Sequence, residues 1–130
     1  MFNIEVIRGA AGYGSERLQA VRQADLYWTV TTRTNVNDDN QIERTVSTKD
    51  PVNLLMQWLD FPNARMSARL HSLDLWYQAG VMKSFCLDTG TFKHTVFTRE
   101  ELVTVLGLIL SPAVKIIDRT TADLVKKIIS

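Results

Sequence analysis

The sequence predicts an α+β fold: a small single domain spanning residues 1–130, with antiparallel β-hairpins packed against about four to five helices. Three observations predict it. Between residues 26 and 48 the apolar positions recur every second residue on either side of the polar tip Asn37-Asp38-Asp39-Asn40, which is the pattern of a long hairpin. Asp50-Pro51 stands before the apolar stripe Leu54, Leu55, Trp58 and Leu59, and Thr98-Arg99-Glu100-Glu101 is a capping box before a very apolar run. Hairpins interspersed with helices, without repeated parallel crossovers, favour α+β over α/β.

Taken in order, residues 2–7 place Phe2, Ile4 and Val6 on one face of a short strand, followed by the small-residue loop Gly9-Ala10-Ala11-Gly12-Tyr13-Gly14. Ser15 is the expected N-cap of a short helix reaching about Ala24, with Glu16 in its first turn and Leu18 and Val21 on one stripe. In the long hairpin, Trp28, Val30, Ile42 and Val46 point to a core, while Thr29, Thr31, Arg33, Glu43 and Thr45 form a polar outer face. After the helix opened by Asp50-Pro51, the break Phe61-Pro62-Asn63 precedes a second helix over 64–79. That helix carries Leu70, Leu73 and Tyr77 on one side, with Gly80 as its left-handed stop.

Residues 81–87 and 91–97 read as a second hairpin around Asp88-Thr89-Gly90. The capping box opens a helix ending before Ser111-Pro112; a brief strand at 113–117 and a last helix through Val125 and Ile128 complete the chain. No internal repeat is visible in the sequence.

The net charge of +1, with basic and acidic residues interspersed throughout, removes the simplest case for a strongly basic nucleic-acid glove. The composition, 45% apolar and 22% charged, is that of an ordinary globular domain and excludes disordered, collagenous and disulfide-scaffold classes. The single cysteine, Cys86, lies between Phe85 and Leu87 and reads as a strand-core thiol. The N-terminal residues lack the basic and apolar regions of a secretory signal, and the longest apolar run, 102–110, is too short to cross a bilayer. The expected location is therefore cytoplasmic, in the host cytoplasm if the protein is viral.

Two short motifs invite a chemical reading. The glycine loop at 9–14 resembles the loops that bring a dinucleotide pyrophosphate to a helix N-terminus, but no acidic residue ends a second strand to hold a ribose, and no Walker lysine follows. A flexible loop accounts for it, and no cofactor is expected. Phe85-Cys86-Leu87-Asp88-Thr89-Gly90-Thr91 resembles the signature of the retroviral-type aspartic proteases. That resemblance implies a homodimer in which paired Asp88 carboxylates share a proton to activate water. Those proteases are nearly all-β with a glycine-rich flap, whereas 50–79 reads as helical here, and Asp-Thr-Gly is also an ordinary tight turn. His71 and His94, the only histidines, lack zinc-site spacing with one cysteine, so no metal is expected.

By subtraction, the sequence favours a non-enzymatic protein–protein interaction or assembly module, self-associating or docking on a protein partner. Small accessory or inhibitory factors of viruses and mobile elements are of this kind. The expected contacts are Tyr27, Arg33, Asp38 and Asp39 on the first hairpin. The alternative is a nucleic-acid-binding protein that uses the open face of the 26–48 hairpin together with the basic cluster Lys115, Arg119, Lys126 and Lys127. A dimeric aspartic-type hydrolase acting through Asp88 is the second alternative.

Overall fold

The structure is a computed structural model and describes residues 3–9, 16–22, 27–36, 40–70, 73–110, 125 and 127. Four strands, β1 (Asn3–Arg8), β2 (Glu16–Arg22), β3 (Trp28–Val36) and β4 (Asn40–Thr48), lead into helix α1 (Val52–Leu59). Four more, β5 (Arg65–Leu70), β6 (Leu73–Gln78), β7 (Val81–Cys86) and β8 (Thr91–Val96), lead into α2 (Arg99–Leu110). All eight form one antiparallel sheet in the order β4-β3-β2-β1-β5-β6-β7-β8. The first four strands run outward from the centre in one direction and the last four in the other, so the chain repeats a ββββα topology about the β1–β5 pair. Ile4 faces Ala68 and Val6 faces Met66 across that seam.

This architecture corrects the expected one: helices do not outnumber hairpins, and among the described residues only α1 and α2 are continuous helices. The segment expected as a helix from Ser15 is β2, and the expected helix over 64–79 is the β5–β6 hairpin. Both errors have one physical cause. In β2 the inward residues are Leu18 and Ala20, and in the later hairpin Met66 and Ala68 precede Leu73 and Leu75. Alanine marks a core position weakly, and Leu18/Val21 and Leu70/Leu73/Tyr77 then mimic a helical stripe although the burial alternates with period two. Gly80 does adopt a positive φ, 79°, but as the second residue of the Ala79-Gly80 turn joining β6 to β7; Ala79 has φ 51°, the backbone of a type I′ hairpin turn.

Other expectations hold. The long hairpin is β3–β4, with Trp28 facing Thr48 and Val30 facing Val46, and the second hairpin is β7–β8. In α1 the cap sits one residue later than expected. Pro51 occupies the N-cap position and its carbonyl accepts from Leu55 N–H at 3.0 Å, while the Asp50 carboxylate accepts from Val52 N–H at 3.2 Å. The capping box closes reciprocally: Glu101 N–H donates to Thr98 Oγ1 at 3.1 Å, and Thr98 N–H donates to Glu101 Oε1 at 3.0 Å. The strand and helix expected after residue 111 lie outside the described residues, apart from helical positions at Val125 and Lys127.

Both helices pack on one face of the sheet. Ile4, Val6, Leu18, Trp28, Val30, Leu73, Leu75 and Met82 meet Leu55, Leu102, Val105, Leu106 and Ile109 in a single core, which Cys86 joins as a buried thiol. Burying each large aliphatic side chain there stabilises the fold by roughly 1.5–3 kcal/mol. The apolar α2 thus buries Leu102, Val105, Leu106, Ile109 and Leu110, and the Trp28 indole N–H donates to the carbonyl of Leu110, its last residue, at 3.3 Å. Val46, expected in the core, is 52% exposed because β4 is the sheet's outer strand. No helix among the described residues is long and apolar enough to cross a membrane.

Candidate functional site

Because the helices cover one face, every second residue of each strand lies on the other, which no described element covers. One row of directly opposed residues crosses this open face: Thr45, Thr31, Gln19, Glu5, Ser67, Trp76, Lys83 and His94. Its β5–β8 end is chemically distinct. Trp76 is 40% exposed, and on the neighbouring row Phe85 faces Phe92, their ring centroids 6.4 Å apart. The His94 ring meets Phe92 edge-on at 5.0 Å. Period two places these groups outside: Trp76 lies between the inward Leu75 and Tyr77, and Lys83 between the inward Met82 and Ser84.

A cleft of about 710 Å³ runs from Glu5 and Ile7 across Arg65, Ser67 and Trp76 to Lys83 and Phe92. A second, of about 320 Å³, adjoins it between Asn3, Arg69 and Asp74. Charge on the face is unevenly neutralised. Arg17 pairs with Glu5 at 3.7 Å and Arg33 with Glu43 at 2.8 Å, while Arg69 makes a two-pronged bond to Asp74. The Arg69 guanidinium hydrogen-bonded to Asp74 holds that carboxyl below the usual carboxylate range. Among the described residues Arg65 and Lys83 form no ion pair, and both line the larger cleft beside Trp76. Such an arrangement offers a planar apolar surface for ring stacking, flanked by two cations available to an anion.

Among the described residues, none of the site candidates singled out from the sequence lines this cleft. Tyr27 is exposed at the start of β3 with the Lys49 ammonium 5.3 Å from its ring, and Arg33 is engaged by Glu43; both belong to the opposite end of the sheet from β7–β8. Asp38, Asp39, Lys115, Arg119 and Lys126 lie outside the described residues, as does His71; Lys127 is exposed at a helical position. Asp88 sits in the exposed β7–β8 turn, where Gly90, at φ 68°, donates its N–H to the Cys86 carbonyl at 2.8 Å. Asp88-Thr89-Gly90 is therefore a tight turn in this chain. Residues 10–15 of the glycine loop lie outside the described residues, and the segment that follows them, expected as a helix, is strand β2 from Glu16. Among the described residues no three His, Cys, Asp or Glu side chains gather where they could hold a metal ion.

Sequence reading missed Trp76, Lys83, Phe92 and Arg65. The helical period expected over 64–79 hides the alternation that turns Trp76 outward. The signal was present in Val81-Met82-Lys83-Ser84-Phe85-Cys86, where Lys83 and Phe85 share the outward parity. Comparison with protein-family models, with curated proteins and with solved structures finds no match to this chain.

Proposed function

We propose that the protein binds single-stranded nucleic acid on the open face of β5–β8. One observation carries this reading: a half-exposed tryptophan, Trp76, shares a cleft with Arg65 and Lys83, two cations without ion-pair partners among the described residues. Unpaired bases stack on such rings while cations beside them hold the phosphates. A duplex hides its base faces, so the reading specifies a single strand. The site moves from the 26–48 hairpin to the other half of the sheet, since Arg33 is already neutralised by Glu43.

Fluorescence anisotropy of labelled oligonucleotides tests it. Single strands bind and duplexes of the same sequence bind far more weakly. With two phosphates engaged, log K falls against log salt with a slope of about −1.4. Affinity for duplex equal to that for single strands, or no binding of either at low salt, refutes the reading.

A second reading, a protein partner or a second copy of the chain, is favoured by the outer strand β8, where Val96 is 79% and Phe92 54% exposed. A protein that stays monomeric at high concentration and is indifferent to Val96→Lys counts against self-association there.

A further inference from the structure

We infer that the site selects guanine within the bound strand, with the Glu5 carboxylate accepting hydrogen bonds from the base edge; this rests on the nucleic-acid reading above. Along the central row Glu5 faces Ser67 and Ser67 faces Trp76. Two strand spacings separate the tryptophan from the glutamate, about 10 Å, and the small serine between them leaves that gap open. The two clefts adjoin here, and Glu5, Ser67 and Trp76 line both.

A carboxylate in a site for a polyanion repels phosphate and weakens binding unless it meets a donor. Glu5 is only loosely engaged within the protein. Its contact to Arg17 is 3.7 Å, too long for a hydrogen bond, so both oxygens keep accepting capacity. Guanine carries two adjacent donors on its pairing edge, N1–H and the N2 amine, which match the two oxygens of one carboxylate. Adenine and cytosine present a single amine there, and thymine or uracil presents one N–H between two carbonyls that repel the carboxylate. A guanine laid over Ser67 stacks against Trp76, reaches Glu5 with that edge, and leaves its phosphate toward Arg65 or Lys83.

The test compares a short oligothymidine with the same oligomer carrying one central guanine, against the wild-type chain and Glu5→Gln. The guanine oligomer binds the wild type about tenfold more tightly, as a good bidentate base contact provides. In Glu5→Gln that preference collapses while all-thymine affinity rises, because a negative charge has gone and Arg17 loses its ion-pair partner; an unchanged circular dichroism melt confirms that the variant is folded. Equal wild-type affinity for the two oligomers overturns the guanine assignment and leaves the nucleic-acid reading standing. A preference that survives in Glu5→Gln overturns the role of Glu5. Failure of both oligomers to bind overturns the assignment together with the reading beneath it.

Discussion

In the row that crosses the sheet, β4 to β1 contribute Thr45, Thr31, Gln19 and Glu5, whereas β5 to β8 contribute Ser67, Trp76, Lys83 and His94. The two halves share a ββββα topology, and their buried faces are interchangeable in kind: Leu18, Trp28 and Val30 in one, Leu73, Leu75 and Met82 in the other. Their open faces differ. The first half is short, hydroxylated and internally neutralised, with Thr31 and Thr45 hydroxyls 3.3 Å apart and Arg33 paired with Glu43. The second pairs Arg69 with Asp74 but also carries Trp76, Phe85 and Phe92 together with Arg65 and Lys83, which form no ion pair among the described residues. Core packing constrains the inward residues of both halves alike; water accepts almost any outward residue, so the open faces diverge while the fold stays the same.

Truncating a core side chain in each half tests their likeness most severely. Leu18→Ala and Leu75→Ala, each removing a fully buried side chain, lower unfolding free energy by about 2–5 kcal/mol in urea titrations. A half that tolerates the change within 1 kcal/mol would show that the two cores are not equivalent.

The next test concerns the difference. Trp76→Ala weakens single-strand binding by about 1–3 kcal/mol, the worth of one stacked base, and leaves the urea midpoint nearly unchanged. Gln19→Ala, at the matching place in the first half, leaves affinity unaltered; an equal loss at both sites would move the interface onto the whole sheet.

A smaller effect belongs to the β6–β7 turn of the second half. Ala79 occupies a position with φ 51° before Gly80, and Ala79→Asn creates the Asn-Gly pair that a type I′ turn favours. The thermal midpoint should rise by the equivalent of up to about 1 kcal/mol, since asparagine tolerates this backbone better than alanine. A fall in the midpoint would contradict the turn assignment.

The smallest effect is a pH dependence. Hydrogen bonds from Arg69 and from Arg99 lower the carboxyl pKa of Asp74 and of Asp60 respectively. A carboxylate whose folded pKa lies below its unfolded value adds stability at neutral pH; the contribution is lost as pH falls from the ordinary aspartate range through the lower folded value. Asp74→Asn and Asp60→Asn should therefore each slightly flatten the acid limb of the stability curve. The first pair ties β5 to β6, and the second ties the end of α1 to the start of α2, joining the halves. Because both pairs are solvent-exposed, high salt erases most of the effect.

The parts of the fold that could be read from the sequence carry strong local chemistry. Threonine-rich alternation marks β3–β4, Asp50-Pro51 starts α1, and Thr98 with Glu101 starts α2. The segments misread as helices, β2 and β5–β6, have small inward residues, Ala20 and Ala68, which blur period two, while spacings such as Leu73 to Tyr77 imitate a helix turn. That same error concealed the candidate site, because a residue cannot be assigned to an open sheet face before its segment is known to be a strand. The repeated topology is hidden in the sequence for a related reason. Its two copies agree in burial pattern and connection order, whereas their outward residues have no common chemistry.

Amide and indole chemical-shift mapping by NMR, during titration with a short single-stranded oligonucleotide, locates the bound strand on one half of the sheet or the other. With the strand on β5–β8, the Trp76 indole N–H and the amides around Ser67, Trp76 and Lys83 move together, while those of β3 and β4 stay in place. Shifts confined to residues 27–48, or no shifts at saturating oligonucleotide, would contradict that placement.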